Sequence, residues 1–254
     1  MSIFLRIPLC LVLIVSCAFC KRKPDNTPPT KPEIEQIVKD YILQHPEVLL
    51  ESVRQYQERE RAAQQQKAKD SVAARQSDLL RDPTSPASKP VAAKPGEQVT
   101  MVEFFDYRCG FCKKVNPTVM KLLADNPNLR LIFKEFPILG PESVTAAKAG
   151  LAAQRQGKYV QFHQAMMAST TPVSAAMIEQ VANDVGLDVA KLKSDMESKE
   201  IAAIIEKNTQ LAMALQVAST PTFVIGGEMV AGAMDAAAFQ KLIANAQAHS
   251  EPAH

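Results

Sequence analysis

Seven β-prone residues, Val99–Phe105, are followed four positions later by Cys109-Gly110-Phe111-Cys112, and no other stretch narrows the possible folds as far. A helical pattern begins at the second cysteine. Strand, short loop and helix together form the setting in which a Cys-x-x-Cys pair performs thiol–disulfide chemistry. Cys109 falls at the N-terminal end of the predicted helix, where unpaired backbone N–H groups and the positive end of the macrodipole favour a thiolate. Cys112 lies one turn inside, less exposed and close enough to close a disulfide.

The other cysteines support that reading. Five occur in 254 residues, and Cys10, Cys17 and Cys20 all fall in the first twenty. The body of the chain keeps only Cys109 and Cys112, too few for a disulfide framework, so the pair reads as a working one. A net charge of +2 gives no electrostatic basis for nucleic-acid binding. Only nine glycines and no tryptophan, with abundant Ala, Gln and Lys, lean towards helix.

Residues 1–20 read as an export signal: one arginine, an apolar run from Ile7 to Val15 too short to span a membrane, then small residues. Ile14-Val15-Ser16-Cys17 also resembles a bacterial lipoprotein cleavage box, whereas Ser16 and Ala18 suit ordinary signal peptidase. Both outcomes stay open, and either places the chain in the periplasm of a bacterium, free or anchored through Cys17. Residues 21–32 form a polar, Pro-rich tether. Over 33–81 the pattern is helical. Ile34, Ile37, Val38, Tyr41 and Ile42 share one face, Pro46 breaks the helix after His45, and a second helix runs from about Glu47 to Leu80. That second helix turns polar beyond Tyr56, so the segment reads as an α-helical stalk for self-association, dimer or trimer, with packing on the main domain as the lesser alternative.

A linker follows at 82–97, with a short strand expected near Val91, and a globular domain at 98–248. The domain reads as strand (Thr100–Phe105), helix (Cys112–Asp125, interrupted by Pro117), an alternating strand (Leu129–Phe136) and a helical insertion at 141–216. Breaks in the insertion fall at Gly157, Thr171-Pro172 and Gly186-Leu187-Asp188, with Ser174 and Asp188 as N-caps. Strands Thr222–Ile225 and Glu228–Ala231 turn at Gly226-Gly227, Asp235 caps a last helix, and 249–254 is a tail. The expected fold is α/β: a thioredoxin fold with a helical insertion, preceded by the stalk.

Val102-Glu103-Phe104-Phe105-Asp106-Tyr107 before Cys-Gly-Phe-Cys, the helical insertion, and Thr220-Pro221-Thr222 opening the late hairpin together resemble the DsbA family of exported thiol–disulfide oxidoreductases. The N-terminal helices resemble the oligomerising segments of its ScsC-like subgroup. The resemblance implies Cys109 as nucleophile, Cys112 as resolving thiol and Pro221 as a cis proline that sets Thr220 beside Cys109 to pair with an extended substrate. Phe111, between the cysteines, would border the bound chain. Glu103, a charge inside an apolar run, would lie buried beneath the pair and relay a proton to Cys112. The founding oxidase has Pro-His between its cysteines and Val before its cis proline. Gly110-Phe111 and Thr220 resemble the isomerase DsbC instead, implying a milder potential. Two or three catalytic domains joined by a stalk suit an isomerase through effective concentration.

The resemblance thus implies a protein disulfide oxidoreductase and isomerase with no cofactor beyond a redox-active Cys109–Cys112 disulfide. Its partners would be exported proteins with reduced or mispaired cysteines, a membrane redox partner and further copies of itself. Alternatives are a monomeric dithiol oxidase recharged from the membrane, or a metal-binding or structural envelope protein. Two cysteines lack the four donors of a structural zinc site, and a Cu(I) role rests only on the softness of thiolates. His163 reads as a packed or surface residue, and Lys113 and Lys114 as solvated charges.

Overall fold

A computed structural model describes residues 28–89 and 98–250. The leader with Cys17, most of the tether, the strand expected near Val91 and the end of the tail lie outside the described residues. The chain divides into two units, Met1–Glu58 and Arg59–His254.

In the first unit, α1 (Lys31–Gln44) opens on a capping box: the Thr30 N–H and hydroxyl donate to the Glu33 carboxylate at 2.8 and 2.7 Å. The helix ends at His45, because Pro46 can start a helix but not continue one, and α2 (Pro46–Ala74) begins there. No residue of α1 is buried. Ile34, Ile37, Val38 and Tyr41 are exposed, and so are Val48, Leu49, Leu50, Val53 and Tyr56 in the first part of α2.

The second unit is built on a four-stranded sheet of β1 (Val99–Phe105), β2 (Leu129–Glu135), β3 (Thr222–Ile225) and β4 (Glu228–Ala231), in the order β2-β1-β3-β4. β1 runs parallel to β2 and antiparallel to β3; β3 and β4 form a hairpin. Gly226 and Gly227 make its turn at φ of +56° and +85°, values that favour glycine. Period-2 alternation sends β1 side chains to two cores. Val99, Met101 and Phe105 join Leu129, Leu131 and Phe133 on one face, with α4 (Gly110–Asp125) and the insertion helices. Val102, Phe104, Ile132 and Val224 form the other.

The insertion comprises α5 (Pro141–Arg155), α6 (Tyr159–Ala168), α7 (Ala175–Asp184), α8 (Val189–Met196) and α9 (Lys199–Ala214); α10 (Ala236–Ser250) closes the chain. Ser174 and Asp188 cap α7 and α8 by accepting from the Met177 and Lys191 N–H groups, and Asp235 accepts from Ala238. A break that sequence reading missed falls at Ser198, which caps α9 by accepting from Ile201.

Three expectations need correction. The second stalk helix does not run unbroken to Leu80: it stops at Ala74, and α3 (Gln76–Leu80) follows the turn at Arg75. Val72 and Leu79 are buried with Val102, Phe104 and Ile132, so the C-terminal part of the 33–81 segment packs on the sheet and is no solvated stalk. Nor is the start of the 82–97 linker loose. Residues 86–88 pair with β2, through Phe133 N–H to the Pro86 carbonyl at 2.9 Å, Ser88 N–H to Leu131 at 2.8 Å and an antiparallel bridge between Ala87 and Ile132. Lys134 is fully buried, its ammonium donating to the Asp78 carbonyl at 2.8 Å and the Ser85 hydroxyl at 2.7 Å and facing Asp82 at 3.4 Å. Finally, β2 does not alternate buried with exposed. All seven of its residues are buried, because both sheet faces are covered.

Candidate active site

β1 and α4 are joined by Asp106, Tyr107, Arg108 and Cys109, and Cys109 is the N-cap of α4 with extended φ/ψ of −73° and 114°. Its sulfur accepts from the Cys112 N–H at 3.5 Å, and its thiol donates to the Thr220 carbonyl at 3.2 Å. The Thr220–Pro221 peptide is cis, and β3 starts at the next residue. Both cysteines are free thiols, Cys109 only 7% exposed and Cys112 fully covered. Phe111 stands at the rim, 65% exposed. Strand parity puts Glu103 on the α4 side of β1, in register with Phe133 and Phe223 on its two neighbours, where it is 2% exposed. Cys109, Cys112, Glu103, Thr220 and Pro221 thus come together, with Phe111 beside them.

The two sulfurs differ in acidity for reasons visible in the geometry. A hydrogen bond from the Cys112 thiol lowers Cys109, burial opposes it, and the Thr220 side chain and the N–H groups of Cys112 and Phe111 add to it, leaving Cys109 at about 5. At neutral pH the sulfur therefore ionises, giving up its donation to the Thr220 carbonyl and keeping the hydrogen bonds it accepts. Cys112 is pushed far up, by the same hydrogen bond to Cys109, by burial and by the Glu103 and Cys109 charges. Burial, then the Cys109 charge, raises the Glu103 carboxyl to about 8. A low-pKa nucleophile, a protonated buried thiol and an acid poised near neutrality can form, exchange and resolve a mixed disulfide.

Sequence reading missed the frame around Cys109. Asp106 accepts from the Arg108 N–H at 2.8 Å and from Ile138 and Leu139 at 2.9 and 3.0 Å, binding the loop that carries Cys109 to the β2–α5 connection. Arg108 pairs with Glu142 at 2.9 Å. Lys113 is not a solvated charge: its ammonium donates to the Ser169 carbonyl at 2.6 Å, and burial lowers its pKa. Glu135 lies buried at the end of β2, accepting from Tyr107 and Tyr159. A charge within an apolar run, the signal that marked Glu103, marks Glu135 equally. His163 is fully buried among Phe105, Tyr107, Phe133 and Tyr159. Among the described residues no three His, Cys, Asp or Glu side chains gather as a metal site requires.

Comparison with known proteins agrees with this fold. Residues 100–244 match the DSBA-like thioredoxin domain, and residues 31–63 match the copper resistance protein ScsC N-terminal domain. A thioredoxin-like oxidoreductase from Silicibacter pomeroyi is 37% identical, covering 68% of this chain and 97% of that one, with a TM-score of 0.63. BcfH of Salmonella enterica Typhimurium is 27% identical over 85% of this chain and 95% of its own, TM-score 0.71. Proteus mirabilis ScsC in a transitional conformation is 25% identical over 86% and 97%, TM-score 0.64. Curated relatives include Na(+)/H(+) antiporter NhaA 3 of Salinispora tropica, 27% identical over 147 residues, of which the chain spans only 22%.

Proposed function

Since this chain belongs to the DSBA-like thioredoxin-domain family of thiol–disulfide oxidoreductases, we propose that it oxidises and isomerises disulfides of exported proteins in the periplasm through Cys109 and Cys112. The observation that carries the reading is the Cys109 sulfur at the α4 N-cap, between the Cys112 N–H and the Thr220 carbonyl. In oxidation, a client thiolate attacks Cys109 of the Cys109–Cys112 disulfide. A mixed disulfide forms, and Cys112 leaves as a thiolate that takes the Glu103 proton. A second client thiolate then attacks the client sulfur, and Cys109 leaves as a thiolate. The client loses two electrons, and a membrane redox partner later removes them from the dithiol. In isomerisation the Cys109 thiolate opens a mispaired client disulfide, a client thiolate closes a new one, and no net electrons move.

Isomerisation is favoured by the first unit. Among the described residues the apolar faces of α1 and early α2 are exposed. Each large apolar side chain withdrawn from water contributes about 1.5–3 kcal/mol, enough in sum to hold a dimer or trimer together. Copies joined this way bring several Cys109 sites to one client.

The test is reactivation of a scrambled, disulfide-mispaired protein in glutathione buffer. The full chain should restore activity, and Cys109→Ser should abolish it. Ile37→Asp with Tyr41→Asp, both surface changes, should lower the solution mass to that of one chain and remove isomerisation while leaving oxidation of a reduced protein intact. No reactivation alongside rapid oxidation would leave a simple dithiol oxidase.

A further inference from the structure

Glu135 is an expensive residue to bury, and the proposed chemistry makes no use of it. It lies on the same sheet face as Glu103, at the end of the neighbouring strand, 1% exposed. One carboxyl oxygen accepts two phenols, Tyr107 at 3.2 Å and Tyr159 at 2.7 Å. A buried carboxyl costs several kcal/mol unless its hydrogen bonds are made. Room for the cluster comes from α5: a Cβ at Gly150 would stand 2.7 Å from the Glu135 oxygen and 2.8 Å from the Tyr107 hydroxyl.

One of the two phenols explains itself by packing. Tyr159 belongs to α6, and its ring stacks on His163. Tyr107 is different, because it precedes Cys109 by two residues in the loop that presents the sulfur. Its neighbour Asp106 ties the same loop to Ile138 and Leu139, and the Asp106 carbonyl accepts the Cys109 N–H at 3.0 Å. The loop is therefore held by Asp106 on the β2–α5 connection, by Arg108 on Glu142 and by Tyr107 on Glu135. The sulfur's own bonds, 3.5 Å from the Cys112 N–H and 3.2 Å to Thr220, are thus set by where the loop places it.

We infer that Glu135 is a positioning residue: acting through the Tyr107 hydroxyl, it fixes the height of Cys109 against Cys112 and Thr220 and so tunes the reactivity of the disulfide pair. The inference rests on Cys109 being the nucleophile. It also gives the helical insertion a part in the chemistry, since α5 and α6 supply the recess and the second phenol of the anchor.

The experiment compares Tyr107→Phe, Glu135→Gln and Glu135→Ala with the full wild-type chain. Two quantities are read: the thiolate absorbance of Cys109 against pH, and the equilibrium of the pair with glutathione. Tyr107→Phe keeps the ring between Phe105 and His163 and removes only the hydroxyl. It should raise the Cys109 midpoint and make the pair less oxidising. Weakening one hydrogen bond to the sulfur gives a change of roughly fivefold in the equilibrium constant, or about 20 mV. Glu135→Ala should do the same. Glu135→Gln, whose amide oxygen still accepts both phenols, should stay close to wild type. A folded Tyr107→Phe with lowered melting temperature but unchanged midpoint and potential would overturn the inference, as would Glu135→Gln behaving like Glu135→Ala. If the wild type itself shows no exchange at Cys109, the nucleophile reading fails instead.

Discussion

Glu103→Gln isolates the energetic consequence of burying an acid beneath the cysteines. The Glu103 carboxyl stands at about 8 in the fold against an ordinary 4.5. At about 1.4 kcal/mol for each tenfold change, this corresponds to roughly 5 kcal/mol between the two protonation states. The sign follows from proton binding. Between pH 4.5 and 8 the folded chain holds the proton and the unfolded chain does not. The stability contribution of Glu103 is therefore complete below pH 4.5 and is lost as pH rises through 8. Glutamine cannot titrate, so the variant lacks this slope, whatever fixed amount its buried amide costs. Urea unfolding of both proteins as the Cys109–Cys112 disulfide, at pH 5, 6, 7 and 8, gives the comparison. Over this pH window only about 3.5 kcal/mol of the full difference is developed, and the disulfide state also removes the Cys109 charge, leaving burial as the cause, so the excess loss in the wild type should be about 3 kcal/mol. Parallel stability curves for the two proteins would refute the argument, because they would mean that Glu103 titrates as an ordinary surface acid.

Three further outcomes follow from named contacts. Thiolate absorbance of the reduced protein should show one sulfur titrating near pH 5, absent in Cys109→Ser, while Cys112 stays protonated beyond pH 9. Asp82→Asn should destabilise by about 3–5 kcal/mol in chemical denaturation, because it leaves the fully buried Lys134 ammonium without its carboxylate. Asp82→Leu with Lys134→Met should recover most of that loss. Gly150→Ala, which would gain up to about 1 kcal/mol in an exposed helix, should instead lose about 1–3 kcal/mol, read as a lower melting temperature, since the added methyl collides with Glu135 and Tyr107.

Legibility from the sequence divides along the range of the forces involved. The Gly226-Gly227 hairpin, the caps at Ser174, Asp188 and Asp235, and the stop at Pro46 are decided within four or five residues, so sequence reading finds them. Glu103 was legible because a carboxylate in a β-prone apolar run has little choice but burial. The turn at Arg75 carries no proline or glycine. It is set by Val72 and Leu79 reaching Phe104 and Ile132 on the sheet, partners 25 to 60 residues away. Lys134 read as one polar member of an alternating strand because its partners, Asp82 and Ser85, lie about fifty positions earlier. Tyr107 and Arg108 were visible in the motif, but their roles depend on Glu135 and Glu142, which only the folded sheet brings near.

The pairing of residues 86–88 with β2 also bears on the company such a protein keeps. β2 is the last strand on its side of the sheet, and a bare strand edge recruits any extended chain through its free N–H and C=O groups. Unfolded clients are such chains, and so is a neighbouring copy during assembly. Here the outward ladder of Leu131–Phe133 is already occupied by the chain's own Pro86–Ser88. An extended chain thus finds no free ladder at these three residues of β2. The Thr220 carbonyl, by contrast, faces the Cys109 sulfur.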